Sequence, residues 1–344
     1  MSDDGAEARV EHGQRRAELG ILLNGYQDTA LLYVAAKLGL ADLLAEGPKT
    51  SEQLALMTGA HAPSLYRILR GLVVVGMCFE EEGRFGLTPL GELLRTGVEG
   101  SLRNQALVCG EQYMVAWSGL AHSVMTGETA FAHVFGADQW GHRQRNMALS
   151  ERFNADLNAE TGRAAMAIVE AYDFSACRVL CDVGGGHGAL LCAILAACPA
   201  MRGILLEHAH VAIGARAYVE SQGLNERCRV VEGDFFDGVP EGADAYVMKS
   251  IVHDWPDARG VAVLKNCRRA LGAEGRVFLI ERVMPALAKD APDTVRVDLH
   301  MLAVTGGQER SEAEYQELLG LAGFGLGRIV ATRSPFCVIE GVPR

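Results

Sequence analysis

Arg178 to Gly188, R-V-L-C-D-V-G-G-G-H-G, constrains the fold more than any other stretch. Val179 to Val183 is a short apolar run bounded by turn signals, with one acid, Asp182, near its end; it predicts a buried parallel strand. Three consecutive glycines follow, and Ala189 to Ala196 then continues at helical periodicity, so the glycines form the tight turn of a nucleotide-binding βα unit. Without Cβ atoms that turn lets a ligand approach the backbone closely, facing the amides of the next helix. About 20 residues on, Gly203-Ile204-Leu205-Leu206 predicts a second strand ending at Glu207, where a carboxylate would accept both ribose hydroxyls. Gly184, Gly186 and Ala189 also fit the dinucleotide fingerprint G-x-G-x-x-A, so a nicotinamide enzyme satisfies this stretch as well. A plain glycine turn is the simplest alternative.

With 344 residues, 49% of them apolar, the chain is long enough for two domains with a large core. A formal net charge of -11 argues against a phosphate backbone or an anionic membrane as main partner. Met1 to Arg16 is polar, without the apolar core of a signal peptide, and no apolar stretch reaches about 18 residues, so a cytoplasmic protein is expected. Nine cysteines are scattered without a C-x-x-C pair. Most sit in apolar patterns, and neither a structural metal nor a disulfide framework is expected.

Residues 1 to about 16 read as a frayed start. From Leu19 to Leu44, Leu22, Leu23, Tyr26, Ala30, Leu31, Val34, Ala35 and Leu38 recur at three and four, predicting one or two helices with a broad apolar stripe. Thr50 is an N-cap before a short helix, and Pro63 to Leu72 predicts another. Val73–Phe79, the turn Glu80 to Gly83 and Arg84–Thr88 predict a hairpin. Together these make a winged-helix pattern. DNA binding is disfavoured, because the second helix carries only Arg67 and Arg70 and the wing tip is three glutamates. The apolar N-terminal helices are expected instead to pair with those of a second subunit.

Residues 102 to 170 read as mostly helical, broken at Gly127 and Gly136, and hold Trp117, Trp140 and Phe153 among other aromatic and Met residues, suited to a core or to enclosing an apolar substrate. From 178 the alternation is regular: strand 202–207, helix 211–222, strands 228–232 and 243–248, helix 257–271, strand 275–281, helix 311–322, and two closing strands near 327–332 and 335–340, forming an antiparallel edge hairpin. The fold class expected is α/β: a doubly wound Rossmann-like domain (173–344) behind a mostly helical winged-helix domain (1–100) and a helical covering region (101–172).

The strand 228–232 leads into Gly233-Asp234-Phe235-Phe236, placing an acid and an aromatic ring at its C-terminal end, where ligands bind in open α/β sheets. Asp234 would accept from an adenine amino group while Phe235 packs on the ring. The strand 243–248 leads into Lys249-Ser250-Ile251-Val252-His253-Asp254-Trp255. His253, with an unperturbed value near pH 6.5, suits a general base at neutral pH. Glu281 ends the next strand and Glu309 follows Gly306-Gly307-Gln308; if both converge on His253, they fix its tautomer and stabilise the imidazolium.

Taken together, L-C-D-V-G-G-G-H-G, E-G-D-F-F, K-S-I-V-H-D-W, L-I-E-R and G-G-Q-E-R, in that order and spacing, resemble the S-adenosylmethionine-dependent O-methyltransferases of small molecules. Plant caffeic acid O-methyltransferase and the bacterial enzymes that tailor aromatic antibiotics and other secondary metabolites typify that family. The resemblance covers nearly the whole chain and implies an intertwined homodimer through the N-terminal part. It implies that Gly184, with Gly186 in the same loop, contacts the methionine part of S-adenosylmethionine, Glu207 the ribose, and Asp234 with Phe235 the adenine. Lys249 and Trp255 would complete the pocket, and Thr161 falls near a cofactor-binding Ser of the plant pattern. His253 would deprotonate the acceptor, held by Glu281 and Glu309. Phe153, Leu157 and Met301 are the pocket-lining candidates by motif alignment. Plant members carry Asp where Glu207 stands and bacterial members often carry Glu, which points to the bacterial branch.

The expected reaction is therefore methylation of a phenolic hydroxyl of an aromatic secondary metabolite, without a metal, leaving S-adenosylhomocysteine. The protein's task would be to align the oxygen and remove its proton. A cofactor-binding protein of the same fold without methyl transfer is the alternative; a nicotinamide oxidoreductase fits less well, since every chemistry-bearing motif lies within the nucleotide domain.

Overall fold

The computed structural model describes the backbone of residues 3–344 and the side chains from Glu11 onward. It divides into two compact units, with the boundary between Met114 and Val115.

In the first unit a helix runs Asp3–Leu38, so the frayed start expected up to residue 16 is corrected, Met1 and Ser2 lying outside the described residues. Glu, Gln, Arg and Ala between positions 11 and 18 are strong helix formers, and Arg15 pairs with Glu11 one turn back. Gly39, at φ 65°, ends this helix, and Leu40–Ala45 follows. Thr50 caps the helix Ser51–Thr58 in a reciprocal box with Gln53. The helix Ala62–Val74 leads to strands β1 (Cys78–Glu81) and β2 (Arg84–Leu87), so Val73 and Val74 are helical where a strand was expected. The hairpin turns through Glu82 and Gly83, both at positive φ, as a tight two-residue turn requires. Leu54, Leu65, Leu69, Leu72 and Phe85 form the core here. On the long helix, Leu19, Ile21, Leu22, Leu23 and Tyr26 are exposed.

The second unit is built on a seven-stranded sheet of β3 (Val179–Val183), β4 (Arg202–Glu207), β5 (Cys228–Glu232), β6 (Ala245–Lys249), β7 (Arg276–Glu281), β8 (Phe324–Ala331) and β9 (Cys337–Pro343). Its order is β5-β4-β3-β6-β7-β9-β8. The first five in that order are parallel, whereas β9 runs antiparallel to both β7 and β8. After β5 the chain returns to place β6 beside β3, and this reversal opens a crevice at the carboxyl ends of both strands. The two faces of the sheet carry separate apolar layers, one including Leu180, Leu191 and Phe278, the other Cys181, Tyr246 and Leu264.

Ahead of the sheet lie short helices and the long helix Met147–Ala171. Gly127 and Gly136 end two of the short ones in left-handed conformation, as expected. A helix absent from the sequence expectation, Pro292–Val304, precedes the G-G-Q-E-R segment and carries Met301. Its proline sits in the first turn, where a missing N–H costs nothing. Among the described residues, no helix is long and apolar enough to cross a membrane.

Candidate active site

The loops after β3, β4, β5 and β6 form the crevice. Gly184 (φ 70°), Gly186 (φ 61°) and Gly188 (φ 92°) all adopt the left-handed conformation that favours glycine. Gly185 is required for space: a Cβ there would stand 2.3 Å from Asp182 Oδ2. Gly186 faces open space, since a Cβ would meet nothing within 4 Å. Its amide donates to Glu207 Oε1 at 2.8 Å, and the His208 amide donates to Glu207 Oε2 at 2.9 Å. Burial pushes Glu207 up to about 7 against the pull of those two amides. Asp182, 1% exposed, has no hydrogen-bond partner on either carboxylate oxygen. Burial first, and Glu207 second, push it up to about 7. An open glycine cradle, a carboxylate poised beside it and an orphaned acid beneath fit a ligand with a positively charged group and a ribose.

Beside the cradle, a Cβ on Gly184 would lie 3.3 Å from the Phe235 ring. Asp234 Oδ1 accepts from the Phe236 amide at 2.8 Å. Phe236 meets Trp255 edge to face at 4.9 Å between centroids, and the Arg259 guanidinium lies over both rings. Gly184 thus neighbours Phe235, Gly186 is hydrogen-bonded to Glu207, and the Phe235 ring meets Trp255 edge to face at 6.4 Å. Lys249 differs: its ammonium lies 4.2 Å above the Phe336 ring and 4.0 Å from Glu160, and burial lowers its pKa.

His253 lies in a short 3-10 turn after β6. Its Nδ1 is 2.7 Å from Glu309 Oε1 and 3.7 Å from Glu281 Oε2, so the expected convergence of both glutamates occurs. Glu281 is fully buried, with Oε1 accepting from the amides of Ile251 and Val252 at 3.0 Å each, which pins the turn carrying His253. Asp254, in none of the sequence expectations as a site residue, adds a third carboxylate 3.8 Å from Nε2. Burial alone would lower the imidazole's pKa, but Glu281, Asp254 and Glu309 outweigh it and push it up to about 10. That corrects the expectation of an unperturbed histidine. Burial in turn pushes Asp254 up to about 6 and raises Glu281. Among the described residues, His253, Glu281 and Glu309 also form the one group whose ligand atoms, within 4.8 Å of one another, could hold a metal ion.

Phe153, Leu157 and Thr161 recur every four residues, so they share one face of the helix Met147–Ala171, each half-buried. Phe153 meets Trp140, which stacks on Trp255 at 5.9 Å, joining this helix to the crevice. Arg143 lies 3.4 Å above Phe153. Met301 is buried. Its neighbour His300 accepts from Trp117 Nε1 at 3.2 Å through Nδ1, which puts the ring proton on Nε2, and burial lowers it to about 4. Trp140, Arg143, Trp117 and His300 were missed as a group, because no linear spacing joins positions 183 residues apart.

Residues 117–325 match the O-methyltransferase domain family and residues 21–97 the O-methyltransferase dimerisation domain. The chain is 42% identical over 323 residues to phenazine O-methyltransferase PhzM of Lysobacter antibioticus, covering 94% of each protein. It superposes on the structure of mitomycin 7-O-methyltransferase MmcR with a TM-score of 0.93 and 33% identity, over 98% of this chain and 100% of that one. The neocarzinostatin biosynthesis enzyme NcsB1, solved with S-adenosylmethionine and 2-hydroxy-5-methyl naphthoic acid, gives 0.83 and 34% over 92% and 96%. With matches of this extent across both units, the chain belongs to the S-adenosylmethionine-dependent O-methyltransferases, among the bacterial enzymes of natural-product biosynthesis.

Proposed function

We propose that this enzyme methylates a phenolic hydroxyl of an aromatic secondary metabolite, with His253 as general base. The observation that carries the reading is the imidazole held at Nδ1 by Glu309 at 2.7 Å, which directs Nε2 to the acceptor. The naphthoic acid in the NcsB1 structure and the phenazine named for PhzM support an aromatic acceptor. Gly184, Gly186, Glu207, Asp234, Phe235 and Trp255 are the residues proposed to bind S-adenosylmethionine, with Lys249 and Thr161 at its margin; Phe153, Leu157 and Met301 line the acceptor side. When bound, S-adenosylmethionine supplies a methyl group already activated by its sulfonium. The chain's own work is to hold the acceptor in line and to take its proton at Nε2.

We further propose a division into residues 1–100 for dimerisation, 101–172 for covering the substrate and 173–344 for cofactor and catalysis. The dimerisation-domain match and the exposed Leu19, Ile21, Leu22, Leu23 and Tyr26 support a homodimer through the N-terminal helices. A cytoplasmic setting, without a catalytic metal, nucleic acid or membrane, completes the reading.

A phenol has a pKa near 10, close to that of His253 in its carboxylate cage, so the proton is shared at little cost. At neutral pH the free enzyme carries the imidazolium and the free phenol its proton, one proton too many for reaction. Hence kcat/KM is expected to rise roughly tenfold per pH unit toward about 10. Glu309→Gln removes one anion beside the ring, lowers its pKa and moves this limb to lower pH. A limb near pH 6.5 in the wild-type enzyme would contradict the assignment.

Glu207→Gln is expected to weaken S-adenosylmethionine binding about tenfold or more in calorimetry, since a charge-assisted hydrogen bond to ribose is worth about 1.5–3 kcal/mol. Unchanged affinity removes Glu207 from the site. The reaction itself is tested by incubating the enzyme with labelled S-adenosylmethionine and a panel of phenolic naphthoates and phenazines, with matched anilines. Label transferred only to the amines sinks the phenol reading.

A further inference from the structure

Arg310 is fully buried, and its five N–H donors all find acceptors. Nε and Nη2 donate to Asp257 Oδ1 at 2.9 and 2.7 Å. Nη1 donates to the carbonyls of Val252 at 2.8 Å and Gln308 at 3.4 Å, and Nη2 to the carbonyl of Trp255 at 2.8 Å. Val252 and Trp255 flank the dipeptide His253-Asp254. One guanidinium therefore spans the turn that presents the imidazole, and its rigid fork sets the separation of two carbonyls. Between them, the His253 carbonyl accepts from the Gln308 amide at 2.9 Å. The segment itself is anchored to the chain just after β7, where the Met284 amide donates to the Arg310 carbonyl at 2.8 Å.

From this arrangement we infer that Arg310 is a positioning residue for methyl transfer: it moulds the backbone of the 252–255 turn so that Nε2 of His253 meets the acceptor. Glu309 and Arg310 divide the task, the first orienting the ring and the second the backbone beneath it. The Arg310 side chain touches neither the cofactor cradle nor the acceptor; it acts on the reaction through the backbone of the 252–255 turn. The inference rests on the reading of His253 as the base.

Lysine at this position keeps the charge but loses the fork, since a single ammonium cannot satisfy the acceptors around it in fixed geometry. Arg310→Lys is expected to lower kcat on the order of 10²-fold, the size of effect that a displacement of about 1 Å produces. The dissociation constant for S-adenosylmethionine, measured by calorimetry, stays within about twofold, because the cradle of Gly184 to Glu207 is untouched and the Trp255 ring keeps its own contacts with Phe236 and Arg259. Asp257→Ala removes the outer anchor, together with its contact to the Gln308 side chain, and leaves the carbonyl contacts. It is expected to lower kcat less, in the same pattern, and it serves as the test if Arg310→Lys does not fold. His253→Gln is assayed alongside. A kcat close to wild type in the folded variants overturns the inference, as does a parallel loss of kcat and cofactor affinity, which general destabilisation would produce. Full activity in His253→Gln overturns the base assignment instead, and the two failures are thereby distinguished.

Discussion

Methyl transfer by His253→Ala is expected to fall by about 10²–10⁴-fold, the range that a positioned general base contributes, while S-adenosylmethionine binds as before. The ring lies in a cage of three carboxylates, with Nε2 the nitrogen not engaged by Glu309. Without it, the acceptor proton has no neutral base of matched strength. The fold also registers the loss, because Glu309 and Glu281 are buried and would face each other without the imidazolium between them. Breaking a buried ion pair costs about 3–5 kcal/mol, so single-turnover rates are best compared below the melting temperature of the variant. His253→Gln keeps much of the volume and separates the two effects. Residual activity within tenfold of wild type in either variant would show that the hydroxyl ionises without help.

The second large effect is expected at a residue with no side chain. A Cβ on Gly307 would stand 1.9 Å from the His253 carbonyl oxygen and 2.6 Å from the Trp255 amide nitrogen. Both atoms are backbone, so neither can swing away. Gly307→Ala must push the 306–310 segment off the turn it braces, breaking the bond from the Gln308 amide to the His253 carbonyl. Overpacking of this kind costs about 1–3 kcal/mol, and the displacement would lower kcat on the order of 10²-fold. Thermal unfolding and steady-state kinetics together check both. A variant with wild-type kcat would mean that the two backbones separate freely.

The sheet was legible because alternating apolar runs and helical periods are local signals, and β3 to β7 lie within two residues of where the sequence places them. The helix Pro292–Val304 was not. Val295 and Val297 alternate with Arg296 and Asp298 there, a pattern that also fits a strand, and only its first-turn proline and its tertiary packing decide. In the crevice, Glu207 could be placed from distance along the chain after the glycines, since one βα unit dictates it. The meeting of Glu281 and Glu309 on His253 could be expected only because ordered motifs implied it; Glu309 stands 56 positions after His253, and the chain between carries no local trace of that contact. The rise in His253 comes from summed charges in a buried space, which residue identity alone does not disclose. Asp254 and Arg310 stand within the K-S-I-V-H-D-W and G-G-Q-E-R motifs, yet which carbonyl a guanidinium faces depends on the path of two separate backbones.

The cysteines of this fold have a consequence of another kind. Cys181 on β3, Cys192 in the helix Ala189–Ala197, Cys228 on β5 and Cys267 in the helix Asp257–Ala270 are all buried free thiols. Burial pushes Cys192, Cys228 and Cys267 up to about 12, and Cys181 well above its ordinary value, so the reactive thiolate is scarce in the closed protein. An alkylating reagent therefore reaches them only when the sheet opens, and each becomes a clock for its own region. Labelling with iodoacetamide, read peptide by peptide, would time the opening of the switch-point strand β3 separately from that of the edge strand β5, and saturating S-adenosylmethionine is expected to slow the first more than the second.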